Sequence, residues 1–186
     1  KNFVIEIGGL IINSLDKSKV QGLDSLGINM TGLSENSNYY TLYFETPSGK
    51  VEAQILSIEN NILTAQVPHY DDMEIGPISV YIQDENGTRS NSAELVFSPE
   101  NVKFLPGLPN SSGEIELAIT QPQGLPDIFY KIKGGSELSY SAPITLANKT
   151  SVEAWVVKTV NNISYASEKI EYVHSVCEPG EDFIDG

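Results

Sequence analysis

The sequence predicts an all-β protein built from two tandem β-sandwiches. Three observations lead to this fold class. Apolar and polar residues alternate with a period of two in many short segments, and clusters of Asn, Gly, Ser and Pro separate these segments. No stretch shows a sustained 3.6-residue period, so we expect almost no helix. Many short strands with regular turn signals are typical of sandwiches and barrels.

Three segments show the alternation most clearly, at 78–83, 114–119 and 152–157. In a strand, every second side chain points to the same face of the sheet. We therefore predict that one apolar set in each segment faces a core: Ile78, Val80 and Ile82; Ile115, Leu117 and Ile119; Val152, Ala154 and Val156.

A boundary is predicted near Ser98–Asn101, where one alternating set ends and another begins. Pro99 lies between them, and proline donates no hydrogen bond to a sheet. We expect one domain at 1–98 and another at 99–175, each close to the ~100 residues of one immunoglobulin-like sandwich. Residues 176–186 are predicted to be an acidic tail or linker, because they are rich in carboxylates and turn formers.

Charge and composition exclude several classes of function. The 186 residues include 11 basic and 25 acidic side chains, which gives a formal net charge of −14. Nucleic acids and anionic membrane surfaces both require a cationic footprint, so neither is expected as a partner. No apolar run reaches the ~20 residues of a membrane span. The single cysteine, Cys177, excludes an internal disulfide and is either a spare thiol or the site of an intermolecular one.

Residues in the first predicted domain follow an order and spacing found in one family. They are Gly22–Gly32, Tyr40, Leu42, Phe44, Val67–Pro68, Gly76–Pro77, Gly87, Ser90–Asn91 and Phe97. In this pattern the domain resembles the IPT/TIG family of immunoglobulin-like domains. The first strand of that family usually begins with a Pro-x-Ile motif, and here Leu10–Leu15 takes its place.

A second set of segments lies in the second predicted domain, at 128–131, 134–136, 140–146, 151–154 and the closing 167–172. In these segments the domain is similar to the small immunoglobulin-like domain at the C-terminus of chitobiases and hexosaminidases. The chain departs from that family at Lys133–Gly135, where an acidic residue usually precedes Gly-Ser. The resemblance implies an accessory module without an active site, so it implies an architecture and leaves the activity open.

No motif for catalysis is present: the sequence contains no GxSxG, HExxH, phosphate-binding loop or paired CxxC. The two histidines, His69 and His174, are predicted to be exposed loop residues, since neither has a second histidine at ligand spacing. We therefore expect no enzymatic activity, no catalytic residues and no cofactor.

Three carboxylate clusters are weak candidates for Ca²⁺ ligands. They comprise Asp71, Asp72 and Glu74; Asp84 and Glu85 with Asn86; and Glu178, Glu181, Asp182 and Asp185. Calcium requires six to eight converging oxygens, and no EF-hand pattern is present. The alternative is a solvated acidic surface that keeps the protein soluble, and on this basis no metal-binding residue is assigned.

Aromatic residues provide the candidate contact site. If Ile128, Tyr130 and Val156 point inward, then Phe129 and Trp155 point outward from adjacent strands. With Tyr165 nearby, they would form an exposed patch that stacks on a sugar or anchors a protein partner. The alternatives are that this face is covered, or that Trp155 is only half buried.

Three functions are compatible with these features. The first is a non-catalytic spacer or adhesion unit of a larger extracellular or cell-surface protein, with a protein or a surface glycan as its partner. The second is an immunoglobulin-like component that decorates a virion or its tail. The third is an accessory glycan-binding region of a carbohydrate-active protein. Because the sequence starts at Lys1 without a signal peptide, we expect it to belong to a longer chain or assembly.

Overall fold

The computed structural model describes residues 9–34, 36–125 and 127–176. The chain divides into two compact units, Lys1–Ser98 (unit 1) and Pro99–Gly186 (unit 2). Both units consist of β-strands, and the described residues include two short 3₁₀ turns, Ser37–Tyr39 and Tyr70–Asp72. The predicted all-β class is confirmed. Cys177 and the rest of the predicted tail, 177–186, lie outside the described residues.

The described residues of unit 1 form eight strands. In chain order they are β1 (Ile11–Leu15), β2 (Lys19–Val20), β3 (Ser25–Thr31), β4 (Tyr40–Thr46), β5 (Gly49–Glu59), β6 (Ile62–Gln66), β7 (Gly76–Asp84) and β8 (Ala93–Phe97). They pair in the order β1-β3-β6-β5-β4-β7-β8-β2. Every pair is antiparallel except β2 with β8, which is parallel.

Strand β5 connects the two layers of unit 1. Its first half pairs with β4 as far as Ala53, and its second half pairs with β6 from Gln54 onward. The register shifts between Ile55 and Ser57, and a bulge of this kind bends a strand. One layer, the β1 sheet, therefore holds β1, β3, β6 and the end of β5, and the other, the β8 sheet, holds the start of β5 with β4, β7, β8 and β2. This is the strand arrangement of an immunoglobulin-like sandwich.

Buried side chains from both layers form a single core in unit 1. The predicted inward residues Ile78, Val80 and Ile82 all belong to it and are almost completely buried. The alternation identified the inner face correctly because each strand of the sandwich has one face on the core and one toward solvent.

Eight strands are also present in the part of unit 2 that the structure describes. They are β9 (Lys103–Pro106), β10 (Ile115–Thr120), β11 (Ile128–Ile132), β12 (Leu138–Ser139), β13 (Ile144–Leu146), β14 (Thr150–Val160), β15 (Ile163–Ala166) and β16 (Ile170–His174). One sheet has the order β13-β10-β9, and the other has the order β12-β11-β14. Strand β15 pairs with the second half of β14 and β16 with its first half, so both extend the second sheet.

The core of unit 2 lies between these two sheets. It contains two clusters of buried residues, and Phe104, Tyr130 and Ile144 pack against both. The predicted inward residues of 114–119 and 152–157 are buried in these clusters. The prediction of two immunoglobulin-like sandwiches is confirmed.

The same hydrogen-bonding arrangement occurs just before the last strand of each sandwich. Ser167 is buried, and its Oγ accepts the N–H of Val156 at 3.0 Å and donates to the Glu168 carbonyl at 2.9 Å. In unit 1, the buried Ser90 accepts the N–H of Ile82 in the same way, at 3.0 Å. Each serine thus supplies the partner for a buried backbone N–H where the last strand begins, and an unpaired N–H would be costly there.

Candidate functional site

Two of the predicted contact residues, Phe129 and Trp155, are direct cross-strand partners on β11 and β14. Their ring centroids lie 6.3 Å apart and their planes differ by 20°. Ile128 and Val156 beside them are buried in the core, so both aromatic rings are on the outer face of the sheet. The pairing and the outward direction agree with the sequence prediction.

Trp155 is nevertheless only 5% exposed, which agrees with the alternative that this face is covered and not with an exposed indole. Phe129 stacks against the ring within the sheet, and the ammonium of Lys169 lies over it at 4.0 Å from the centroid. A cation in this position is attracted by the negative face of the ring. The face of Trp155 on which a sugar would stack is therefore occupied by a side chain of unit 2. A contact role for the half-buried Phe129 stays a prediction.

Tyr165 does not join this pair. It lies opposite Lys158 in the β14–β15 ladder. Because side chains alternate along β14, Lys158 points to the face opposite that of Trp155, and its partner Tyr165 points the same way. The expectation that Tyr165 extends the aromatic patch was wrong, since the sequence does not show which residue of β15 faces which residue of β14.

A charged groove of about 250 Å³ adjoins the aromatic pair on the same face. Lys131, Glu153 and Glu171 form one rung across β11, β14 and β16, and all three side chains are exposed. Lys133, Gly134 and Ser151 complete the lining. Two carboxylates directly opposite each other repel, so a cationic group would be favoured beside them. The sequence reading missed this groove, although the exposed Glu153 within an apolar strand was a usable signal.

Unit 1 carries the same arrangement on the outer face of its β8 sheet. Tyr43 and Tyr81 are cross-strand partners whose rings stack at 5.3 Å with an interplanar angle of 29°. The Arg89 guanidinium lies 3.5 Å from the Tyr81 centroid and forms an ion pair with Glu45 at 2.9 Å. Lys50 lies over Tyr43 at 4.3 Å. Tyr81 is buried, so in both units an outward aromatic residue on the equivalent strand is covered by a cation.

At one end of unit 1, the loop after β3 and the turn after β7 border a depression of about 330 Å³. Tyr39 and Tyr40 line one side, and Asp84 and Glu85 line another. The Tyr40 hydroxyl accepts the Ser34 N–H at 2.8 Å, which fixes its ring. This pocket was also missed, because its residues come from distant segments of the sequence.

The candidate calcium ligands in unit 1 structure their own loops. One Asp84 carboxylate oxygen accepts the N–H groups of Asn86 and Thr88, at 2.9 and 2.7 Å. Asp71 Oδ2 lies 3.2 Å from His69 Nδ1, and Glu74 accepts a hydrogen bond from the Ser48 hydroxyl. Within residues 9–34, 36–125 and 127–176, no group of three or more His, Cys, Asp or Glu residues could hold a metal ion. The third carboxylate cluster lies outside the described residues.

The histidines differ from each other. His69 is half buried and contacts Tyr70 and Asp71, close to the prediction of a loop residue. His174 is buried at the end of β16, and its Nε2 lies 2.7 Å from the Gly113 carbonyl oxygen. The prediction of an exposed His174 was wrong, because the end of β16 lies against the loop that precedes β10. Among the described residues, no helix is long and apolar enough to cross a membrane.

Neither a family model nor a curated protein sequence matches the chain. Solved structures of low identity are similar to it. A two-domain fibronectin type-III segment of chicken tenascin is 14% identical, with a TM-score of 0.41 and coverage of 88% of this chain and 97% of that segment. The γ-CGTase of an alkalophilic Bacillus clarkii is 11% identical, with a TM-score of 0.41 and 88% of this chain covered, and the match spans 25% of that protein. An auxiliary nutrient binding protein from Bacteroides ovatus is 8% identical, with a TM-score of 0.35 and coverage of 86% of this chain and 38% of that protein.

Proposed function

We propose that the chain is a non-catalytic spacer and interaction module of a larger extracellular or cell-surface protein. The observation that carries this proposal is the path of the chain through each sandwich. In both units the first and the last strand run in the same direction, so the chain enters at one end of the sandwich and leaves at the opposite end.

In unit 1, the parallel pairing of β2 with β8 defines this path, with Lys19 opposite Val96 and Val20 opposite Phe97. Following the antiparallel pairs from β1 through the layers gives β1 the same direction as β8. Asn91 ties the two together: its side chain accepts the Ile12 N–H at 2.7 Å and donates to the Ile12 carbonyl at 3.1 Å.

In unit 2, contacts at the two ends of the sandwich give the same result. Asn101, just before β9, accepts the N–H of Glu168, just before β16. At the other end, the last residue of β9, Pro106, pairs with Leu117, and His174 of β16 contacts Gly113 just before β10. Strands β9 and β16 therefore start at one end and finish at the other.

A unit with this path adds its own length to the chain and carries a load across the sandwich. Pulling along parallel strands such as β2 and β8 loads their hydrogen bonds together, in shear, so they resist as a group. A sandwich whose ends lie side by side would instead hang from the chain as a branch. The amide of Asn148 adds a clamp at the exit from unit 2, since its Oδ1 accepts the Val176 N–H at 2.8 Å. These features favour a spacer over the alternative of a sugar-stacking region centred on Trp155.

Single-molecule pulling on the full chain from its two ends tests the proposal. We expect two separate unfolding events, each releasing about 3.3–3.6 Å of chain per residue. Asn91→Ala should lower the unfolding force of unit 1, because β1 loses its attachment to the segment before β8. Asn13→Ala is the matched control on the same strand, since its side chain donates hydrogen bonds to the side chains of Asn29 and Thr31 and not to the segment before β8. Gradual extension without distinct unfolding events would contradict the spacer role.

A further inference from the structure

The depression of about 330 Å³ at one end of unit 1 combines aromatic rings with negative charge. We call it the tyrosine pocket, and the residues that define it are Tyr39, Tyr40, Asp84, Glu85 and Asn86. The described residues that line it include no lysine, arginine or histidine. Among the described residues, neither Asp84 nor Glu85 takes part in an ion pair. The pocket is therefore a local centre of negative charge that no cation of the described residues neutralises.

Strand pairing brings the aromatic and the acidic groups of the tyrosine pocket together. Tyr40 of β4 and Asp84 of β7 are direct cross-strand partners, so their side chains point to the same face of the sheet. Tyr39 ends the 3₁₀ turn just before β4, and Glu85 follows β7 directly. Tyr39 and Glu85 are both exposed. Two rings and two carboxylates from distant segments of the chain thus border one space that a ligand can reach.

Hydrogen bonds hold two walls of the tyrosine pocket in place. The Tyr40 hydroxyl accepts the Ser34 N–H at 2.8 Å and donates to the Ser34 hydroxyl at 3.2 Å. One carboxylate oxygen of Asp84 accepts the N–H groups of Asn86 and Thr88, at 2.9 and 2.7 Å. A ligand that enters the pocket therefore meets side chains that are already ordered, and less entropy is lost when they are buried in a contact.

The chain itself shows which group fits between a tyrosine ring and a carboxylate. On the outer face of the β8 sheet, the Arg89 guanidinium lies 3.5 Å from the centroid of the Tyr81 ring and 2.9 Å from the Glu45 carboxylate. A guanidinium is planar, so it can stack on a ring and pair with a carboxylate at the same time. In the part of the chain that the structure describes, no cation lies over the ring of Tyr39 or Tyr40.

We propose that the tyrosine pocket binds an arginine side chain of a protein partner. The guanidinium is attracted by the faces of the rings and forms charge-assisted hydrogen bonds with the carboxylates. The pocket is open on one side and is at the small end of ligand sites, which measure about 300–1,000 Å³ and bury most of a free ligand. It therefore fits the end of a side chain that a larger partner presents. The net charge of −14 also attracts a basic partner.

The inference rests on the interaction part of the proposed function, because it names the chemistry of the partner. The spacer part depends on the path of the chain through each sandwich, and pulling on the chain tests it separately. A pocket that binds no arginine would leave the two unfolding events unchanged, so the two failures are distinguishable.

NMR titration of the full, isotope-labelled chain tests the proposal. The probes are three blocked peptides, acetyl-Gly-Arg-Gly-amide and the versions with lysine or citrulline in place of arginine. Citrulline has the shape of arginine without its charge. The arginine peptide should shift the amide signals of Tyr39, Glu85 and Asn86 to saturation, with a Kd between about 0.1 and 10 mM for a single exposed side chain. The lysine peptide should bind more weakly, and the citrulline peptide should not saturate the pocket.

Three variants show which groups of the pocket bind the peptide. Glu85→Gln keeps the shape of the side chain and removes its charge, and it should weaken binding about two- to fivefold. Tyr39→Ala removes one ring and should weaken binding by a similar factor. Glu94→Gln is the matched control, because it removes the same charge from an exposed position on β8 that does not line the pocket.

Amide signals that are unchanged away from each substitution show that the variant is folded. Binding that weakens in Glu85→Gln and Tyr39→Ala but not in Glu94→Gln supports the proposal. Equal weakening in all three variants would overturn it, because the attraction would then come from the overall charge. The absence of saturable shifts would also overturn it, and so would equal binding of the lysine and arginine peptides. Shifts confined to the groove at Glu153 and Glu171 would place the arginine site in unit 2 and overturn the assignment to the tyrosine pocket.

Discussion

Replacing Ser167 by alanine should destabilise unit 2 through a single buried backbone group. The Ser167 hydroxyl is the partner of the Val156 N–H at 3.0 Å, and Val156 has no exposed surface. Alanine fits the space but leaves this N–H without its acceptor. A buried donor left unsatisfied costs about 1–3 kcal/mol, and that is the expected decrease in the free energy of unfolding.

Urea denaturation followed by tryptophan fluorescence measures this loss in unit 2, because Trp155 is the single tryptophan of the chain and lies next to Val156. With an m-value of about 1.5 kcal/mol/M, a loss of about 2 kcal/mol lowers the transition midpoint by more than about 1 M. The matched control is Ser164→Ala on β15, where an exposed hydroxyl lies 3.1 Å from that of Thr159.

The control should change stability by less than about 0.5 kcal/mol, as is usual for exposed sites. If Ser167→Ala and Ser164→Ala shift the midpoint equally, the Ser167 hydroxyl is not the partner that satisfies Val156. The same result would also remove the explanation given for Ser90 in unit 1.

Three other substitutions test other contacts. A Cβ at Gly27 would lie 2.9 Å from Asp16 Oδ2, and the Asp16 side chain also accepts the Gly27 N–H. Gly27→Ala should therefore lower the free energy of unfolding by about 1–2 kcal/mol, measured by thermal melting, and by much less in an Asp16→Ala background. Lys169→Ala should uncover Trp155, shift its emission to longer wavelength and increase acrylamide quenching, whereas Lys169→Met, which keeps the aliphatic stem, should leave quenching nearly unchanged. Asn162 has a φ of 65° in the turn between β14 and β15, so Asn162→Val should cost about 1–2 kcal/mol in urea denaturation, while Asn162→Gly should be tolerated.

The sequence by itself determined the strand class and the inner face of the main strands. Ile78, Leu117 and Val152 are buried as their alternation predicts. The alternation predicts the buried face because the two-residue period is a local property of an extended chain. In a sheet with one face on a core, every second side chain is therefore buried. The outward direction of Phe129 and Trp155 followed from the same rule.

The tertiary structure decided which outward-pointing side chains are covered and which are exposed. Alternation shows that Trp155 and Tyr81 point away from the core, but both are buried because Lys169 and Arg89 lie over them. These cations lie just before the last strand of each unit, β8 and β16, and their positions depend on how the chain turns back. A local period carries no information about that return path.

The register between β14 and β15 was also decided by the tertiary structure. Tyr165 was expected beside Trp155, but the β14–β15 ladder places it opposite Lys158, on the other face. A change of one residue in pairing moves a side chain to the opposite face of a sheet. The turn at Asn161–Asn162 fixes that register. The sequence thus determined which residues form strands and which face is apolar, while the pairing of distant strands decided which side chains meet, because those contacts join residues far apart in the chain.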